Sequence, residues 1–233
     1  MHKIEIAQHI LDRVAARRGG TTLFKELQGR KTALVVIDLQ NAFMLPGMVG
    51  EIPYAREIVP NVNALAEAVR RAGGKVVWVQ MKIETAGEGA WTVYLEHMSG
   101  PVFRDAEIAA LTPGSHGHAL HDDLDVRDGD LVIEKTRFSA FIQGSCDLDS
   151  RLREAGIDTV IITGTVTNTC CESTARDAMM LNYKTIFVSD ANACRTDEEH
   201  NTTLGNILRI FGDVASTQEV IGRLKQAGGG EFR

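Results

Sequence analysis

No apolar run in this sequence approaches the roughly 20 residues that a bilayer-spanning helix needs. The start, Met1 to Arg18, alternates charged with apolar residues and lacks the apolar core of a secretory signal, so a cytoplasmic location is the expectation. Cysteine is scarce as well. The four present (Cys146, Cys170, Cys171 and Cys194) form no recognisable disulfide framework, and without an export signal reduced thiols are expected. Strong charge of either sign is also missing. The 25 Lys and Arg against 31 Asp and Glu leave a net charge of -6, which argues against a general nucleic-acid or anionic-membrane surface. Neither G-x-G-x-x-G nor G-x-x-x-x-G-K-[ST] occurs, so a nucleotide-binding module built on the Gly164-to-Thr169 turn has little support.

What is present is an ordinary globular composition. Hydrophobic residues make up 44% and charged residues 24% of 233, which excludes disordered and collagen-like classes and allows a full core without disulfides. Short apolar runs alternate with helical spacing. Lys31–Asp38, Lys75–Val79, Asp130–Glu134, Thr159–Thr163, Thr185–Val188 and Asp213–Ala215 read as strands. Ala55–Ala72, Asp147–Ala155, Asn168–Leu181, Glu198–Ile210 and Thr217–Ala227 read as helices. Such alternation implies parallel βαβ units and a three-layer α/β/α, Rossmann-like fold. The expected division is a helical extension over 1–30, one domain over 31–227 and a flexible tail over 228–233. In the extension, Ile4, Ala7, Leu11 and Val14 fall on one helical stripe. Either a helix lying on its own domain or a docking arm for a second subunit fits that stripe. The segment Glu84–Pro113 is loop-rich with weak periodicity, a pattern that often shapes a pocket.

In open parallel sheets the site lies at the carboxyl ends of the strands. Three chemically useful residues fall there: Asp38 after the first strand, Lys135 after the Asp130 strand, and Cys170 in the first turn of a helix after the Thr159 strand. Each has an ordinary alternative. A strand-ending Asp caps turns, a Lys after a strand is solvated, and a Cys is a small core hydrophobe. Their coincidence at strand ends singles them out. A helix start favours a thiolate and offers N–H groups to an oxyanion. Asp38 would take the thiol proton and later return one to a leaving nitrogen. Free Asp near ~3.9 and free Cys near ~8.5 leave a gap of roughly 6 kcal/mol, so the pocket must be largely dry and Lys135 close.

The chain resembles the isochorismatase-like cysteine hydrolases over Lys31 to about Leu224. The resemblance rests on Val36-Ile-Asp-Leu-Gln-Asn-Ala-Phe43, on Val132-Ile-Glu-Lys-Thr-Arg-Phe-Ser-Ala-Phe141, and on Ile162-Thr-Gly-Thr-Val-Thr-Asn-Thr-Cys-Cys-Glu-Ser-Thr-Ala-Arg-Asp-Ala178. It implies an Asp38–Lys135–Cys170 triad, a cis peptide between Thr165 and Val166, and an oxyanion hole from the Val166 and Cys170 N–H groups. It implies Cys170 as nucleophile, with Cys171 at a core position where the pattern carries Val. It implies an amidohydrolase for a small ureido, carbamoyl or amide substrate, working through a thioester-type intermediate. Family members that hydrolyse isochorismate do so without a cysteine nucleophile, so vinyl-ether hydrolysis is the second reading.

Nicotinamidases resemble the chain in the triad but carry an Asp-x-His metal motif after the second strand. Trp78-Val-Gln-Met-Lys-Ile-Glu84 holds no histidine, so no metal and no cofactor are expected. His116, His118 and His121 read as solvated loop residues. Gln40, Asn41, Phe43, Trp91, Arg137 and Phe141 are candidate pocket residues. Arg176 and Asp177 read as a buried structural salt bridge. The expected partner is a small molecule, with neither nucleic acid nor membrane, and relatives commonly assemble as homodimers or homotetramers.

Overall fold

A computed structural model describes residues 1–87 and 89–227. The tail expected over 228–233 lies outside the described residues. Six strands build one sheet: β1 (Thr32–Ile37), β2 (Lys75–Met81), β3 (Leu131–Lys135), β4 (Thr159–Thr165), β5 (Lys184–Ala193) and β6 (Asp213–Ala215). Their order is β3-β2-β1-β4-β5-β6, and each pairing is parallel. The helices are α1 (Gln8–Arg18), α2 (Asn41–Met44), α3 (Tyr54–Glu57), α4 (Val59–Arg71), α5 (Pro101–Ala110), α6 (Leu148–Glu154), α7 (Glu172–Met180), α8 (Asp197–Asn206) and α9 (Thr217–Ala227). The three-layer α/β/α architecture expected from the strand–helix alternation is therefore present.

The period-two rule of a strand explains the two cores. On β1, Leu34 and Val36 face one layer, where they meet Val62, Leu65 and Val69 of α4 and Val220 and Leu224 of α9. Ala33, Val35 and Ile37 face the other, with Leu148 and Leu152 of α6, Ala175 and Ala178 of α7 and Leu204 of α8. A central strand covered on both sides must be apolar throughout, and every residue of β1 and β4 is buried. Full burial of each Leu or Val contributes about 1.5–3 kcal/mol.

β1 and β4 are neighbours from which the strand order runs outward in opposite directions, the switch point at which such folds form clefts. They approach closely there. Gly164 pairs with Ile37, has φ +120°, and a Cβ on it would lie 2.1 Å from the Ile37 carbonyl oxygen. Only glycine fits.

Two sequence expectations are corrected. Met1–Ala7 is not helical, and α1 begins at Gln8. The first residues run along α8, where Asn201 accepts the Glu5 N–H through Oδ1 and donates to the Lys3 carbonyl through Nδ2. Side-chain bonding of that backbone replaces helical bonding, and Ile4 of the supposed stripe is 41% exposed. α1 itself lies on its own chain: Val14 is buried, and Ile10 reaches Gly205 of α8. The stretch Glu84–Pro113 is less loop-rich than expected. It holds a π-helical turn, Tyr94–Met98, and α5. The apolar residues of this helix do not mark its buried face: its one buried residue is Glu107, while Val102 is 87% exposed.

Candidate active site

Asp38 follows β1 directly. It is 1% exposed, its N–H donates to the Val79 carbonyl at 2.8 Å, and its φ of 52° is one that non-glycine residues seldom adopt outside constrained sites. Lys135 ends β3, two strands away across β2, and is fully buried. Its Nζ donates to Asp38 Oδ2 at 2.8 Å and lies 3.4 Å from Met81 Sδ. Cys170 sits in the helical turn Thr167–Cys171 that runs into α7, 5% exposed, with its carbonyl accepting from the Thr174 hydroxyl at 2.7 Å. Asp38 Oδ1 is buried without a well-aligned hydrogen bond, and the Cys170 thiol is close enough to the carboxyl to interact with it. The Thr165–Val166 peptide is cis.

Two acids and one cation thus share a dry site. Burial pushes the Asp38 carboxyl above its ordinary value, and Lys135 and the Cys170 thiol offset this in part. Burial also pushes the Cys170 thiol up, and the Asp38 charge pushes it further, against the pull of Lys135. Lys135 goes the other way. Burial disfavours its charge, but Asp38 and Cys170 together more than offset that and hold it above the usual lysine range. The expectation that the helix start would lower the thiol pKa is not met in the resting site. With Asp38 charged, a second anion beside it is disfavoured, so the proton stays on sulfur. Once Asp38 takes the proton, its repulsion is gone and Lys135 faces the thiolate alone.

Cys170 opens into a cavity of about 310 Å³ lined also by Phe43, Ile52, Met81, Tyr94, Phe103, Glu107, Phe138, Val166, Asn168, Arg195 and Glu199. A larger groove of about 500 Å³ runs along the outer edge of β3, but none of the three convergent residues lines it. The structure brings Asp38, Lys135 and Cys170 together, and puts Val166 and Phe43 on the cavity wall. The other pocket candidates lie elsewhere. Gln40 is fully buried, its Nε2 donating to the Met81 and His118 carbonyls and its Oε1 accepting the Met81 N–H. Asn41 Nδ2 donates to the His116 carbonyl. Both polar heads hold the loop over β2 rather than a ligand. Phe141 packs in the core against Tyr183. Trp91 and Arg137 line a neighbouring groove, with the guanidinium 5.2 Å from the indole ring and donating to the Gly89 and Thr136 carbonyls.

Tyr94, Phe103, Glu107, Phe138, Arg195 and Glu199 were not among the pocket candidates, although the stretch Glu84–Pro113 that holds Tyr94, Phe103 and Glu107 was expected to shape a pocket. Phe138 lay inside a quoted motif; Tyr94, Phe103 and Glu107 come from the π-helical turn and α5, Glu199 from the first turn of α8, and Arg195 from just past the end of β5, where the strand-end rule could have found it. The Tyr94 hydroxyl reaches both Glu107 carboxyl oxygens, at 2.9 and 3.1 Å, and burial raises the Glu107 carboxyl above its ordinary value. Cys171 is fully buried in the core. Arg176 pairs with Glu172 one turn back and not with Asp177; its guanidinium lies 4.2 Å from the Phe211 ring centre. His118 is buried, not solvated, and burial lowers its pKa.

A buried cysteine in the turn after β4, next to an acid–lysine pair at the switch point of a parallel sheet, is an arrangement that fits an α/β cysteine hydrolase. Comparison with known proteins narrows this. The isochorismatase domain matches residues 32–219, and the chain belongs to that family of hydrolases. It is 30% identical to ureidoacrylate amidohydrolase RutB of Agrobacterium fabrum (strain C58), over 86% of this chain and 93% of the relative. Among solved structures it is similar to a cysteine hydrolase from Pseudomonas syringae pv. phaseolicola, with TM-score 0.77 and 28% identity over 86% of this chain and 95% of that one. It is also similar to N-carbamoylsarcosine amidase from Thermoplasma acidophilum, with TM-score 0.65 and 29% identity over 80% and 96%. No helix among the described residues is long and apolar enough to cross a membrane.

Proposed function

We propose that the protein is a cysteine-dependent amidohydrolase that cleaves a C–N bond of a small ureido, carbamoyl or amide substrate through a thioester-type intermediate on Cys170. The observation that carries this is the buried Asp38–Lys135 pair, with Nζ 2.8 Å from Oδ2, next to Cys170, which lines the small cavity. The kinship with an amidohydrolase and an amidase supports the bond type. Substrate carbonyl carbon is attacked by Cys170 Sγ as Asp38 accepts the thiol proton. The negative charge passes from carboxylate to sulfur and then to the carbonyl oxygen, which the Val166 and Cys170 N–H groups receive. Lys135 stays charged throughout. When the tetrahedral species collapses, the C–N bond breaks, Asp38 returns the proton, and ammonia or an amine leaves. Asp38 then takes a proton from water, whose oxygen attacks the thioester; the acid product departs and Cys170 regains its proton.

The cavity favours a planar head group: Phe43, Tyr94, Phe103 and Phe138 supply aromatic walls, and Glu107, Asn168, Arg195 and Glu199 supply polar groups to read it. Exposed Val93, Met98 and Val102 near the insertion support assembly into a homodimer or homotetramer as part of this proposal. The test is an ammonia-release screen over ureas, carbamoyl amino acids and primary amides, with mass spectrometry of acid-quenched turnover. The added acyl mass should fall on the Cys170 peptide. A good substrate turned over by Cys170→Ala at the wild-type rate would end this reading. Pyruvate release from isochorismate would point to the vinyl-ether alternative.

A further inference from the structure

Outside the catalytic site, one cluster of side chains has the chemistry of a ligand site. We propose that His2, Cys194 and His200 form a binding site for a borderline-soft divalent metal of the zinc type. One donor atom from each lies within 4.8 Å of the other two. Cys194 follows β5, His200 is on α8, and His2 is delivered by the N-terminal segment laid along α8. All three are buried: His2 is 8% exposed, Cys194 and His200 not at all.

The surroundings fix the imidazole tautomers. A carboxylate and a carbonyl only accept, so the nitrogen facing each must carry hydrogen. His2 Nδ1 lies 2.8 Å from Asp197 Oδ1, and His200 Nε2 lies 2.9 Å from the Ser189 carbonyl. The remaining nitrogens, His2 Nε2 and His200 Nδ1, therefore hold lone pairs. Metal-binding histidines are oriented in this way, by a carboxylate or carbonyl on the far nitrogen. The two rings stack with centroids 4.3 Å apart and an interplanar angle of 14°, so the donors are adjacent but the His2 ring must turn for both lone pairs to meet one ion. Cys194 Sγ is 4.0 Å from His2 Nε2. No residue of the triad belongs to the cluster.

Two imidazoles and a thiolate suit zinc, cobalt or copper better than magnesium or calcium. Bonds of about 2.0–2.3 Å put tetrahedral donors roughly 3.4–3.8 Å apart, so closure from 4.8 Å takes on the order of one ångström. His2, near the end of a non-helical segment, is the ligand able to supply that movement. Binding exchanges the Cys194 thiol proton for the metal, releasing one proton to solvent. It also replaces three existing partners: the Cys194 N–H on His2 Nε2 at 3.1 Å, the Thr167 hydroxyl on His200 Nδ1 at 3.0 Å, and the Thr196 carbonyl that accepts from the Cys194 thiol at 3.2 Å. Thr167 belongs to the turn that carries Cys170, so the site adjoins the nucleophile loop without sharing its residues.

Cobalt(II) is the probe, because a thiolate ligand gives it a charge-transfer band. The full-length Cys170→Ala protein is used so that the catalytic thiol cannot contribute. One equivalent of cobalt should bind, with a thiolate-to-metal band and tetrahedral visible absorption, and zinc should displace it. Adding His2→Ala should weaken binding at least about tenfold, and adding Cys194→Ser should abolish the charge-transfer band. Far-UV circular dichroism and Tm check that each added substitution leaves the protein folded. Absence of the band in Cys170→Ala, or a band that survives either added substitution unchanged, overturns the site.

Discussion

Replacing Lys135 by methionine tests the electrostatics of the site in isolation from any substrate. Lys135 is fully buried and Asp38 1% exposed, with 2.8 Å between Nζ and Oδ2. Removing one partner of such a pair leaves an uncompensated buried charge, a loss of about 3–5 kcal/mol. Asp38 can escape part of that by holding a proton, since burial already raises its pKa. The sign follows from linkage. A carboxyl raised in the folded state binds its proton more tightly there than unfolded, so its contribution to stability falls as pH rises from the unfolded value toward the folded one. In Lys135→Met the lysine's lowering influence is gone, and the folded pKa of Asp38 moves higher still. Between the wild-type and variant folded pKa values only the variant keeps the proton. Its stability relative to wild type must fall there by about 1.4 kcal/mol per pH unit. A total of about 3–5 kcal/mol then spreads over roughly 2–4 pH units above the ordinary carboxylate range. Urea unfolding of both proteins at half-unit steps from mildly acidic to mildly alkaline pH reads this directly. A difference that stays flat with pH, or a variant that gains on wild type as pH rises, would refute the buried-pair account. Turnover should drop by several orders of magnitude in the same variant.

Cys171→Ala should keep turnover within a few-fold of wild type while lowering stability by about 1 kcal/mol, because Cys171 packs in the core and does not line the cavity; a rate as low as that of Cys170→Ala would transfer the nucleophile to Cys171. Dialysis against EDTA should leave amide turnover intact, since no potential metal-ligand group among the described residues includes a triad member; loss of activity restored by added metal would contradict that. Gly164→Ala should cost about 3 kcal/mol or more, seen as a lowered Tm or as insoluble protein, because its Cβ would meet the Ile37 carbonyl oxygen at 2.1 Å at φ +120°. A Gly164→Ala protein as stable as wild type would mean that β1 and β4 do not meet as described.

The strands were legible because central parallel strands must be apolar on both faces. Leu34 to Ile37 and Val160 to Ile162 can satisfy that only as buried strands, and once their order is known the switch point falls between them. Asp38, Lys135 and Cys170 were legible for a related reason: a charged or reactive residue ending such a run has few places to go. α5 was not legible. Its one buried residue is Glu107, held by Tyr94, while Val102 is exposed, so its apolar residues do not mark its buried face. The N-terminal segment failed in the opposite sense. Ile4, Ala7, Leu11 and Val14 do fit a helical stripe, but Asn201 offers the first residues both a donor and an acceptor, and tertiary bonding overrides the pattern.

The pocket wall shows where residue type stops being informative. Gln40 and Asn41 have the head groups expected for reading a urea, yet each spends them on carbonyls of the 116–118 loop, and Gln40 also closes a pair with Met81. A buried amide that leaves its donors unmade loses about 1–3 kcal/mol, so satisfying the nearest backbone wins over waiting for a ligand. Those bonds matter to the site all the same. They fix the segment after Asp38 against β2, whose Met81 lies 3.4 Å from Lys135 Nζ. The cavity beside Cys170 is lined instead by side chains from separate stretches: Phe43, Tyr94 with Phe103 and Glu107, Phe138, and Arg195 with Glu199. Asp38 and Lys135 stand at strand ends that the sheet holds in register, with Cys170 in the turn after β4, whereas most of these come from α2, an insertion, a loop and the first turn of α8. The chemistry is therefore tied to the fold, and specificity to the parts of the chain that the sheet constrains least.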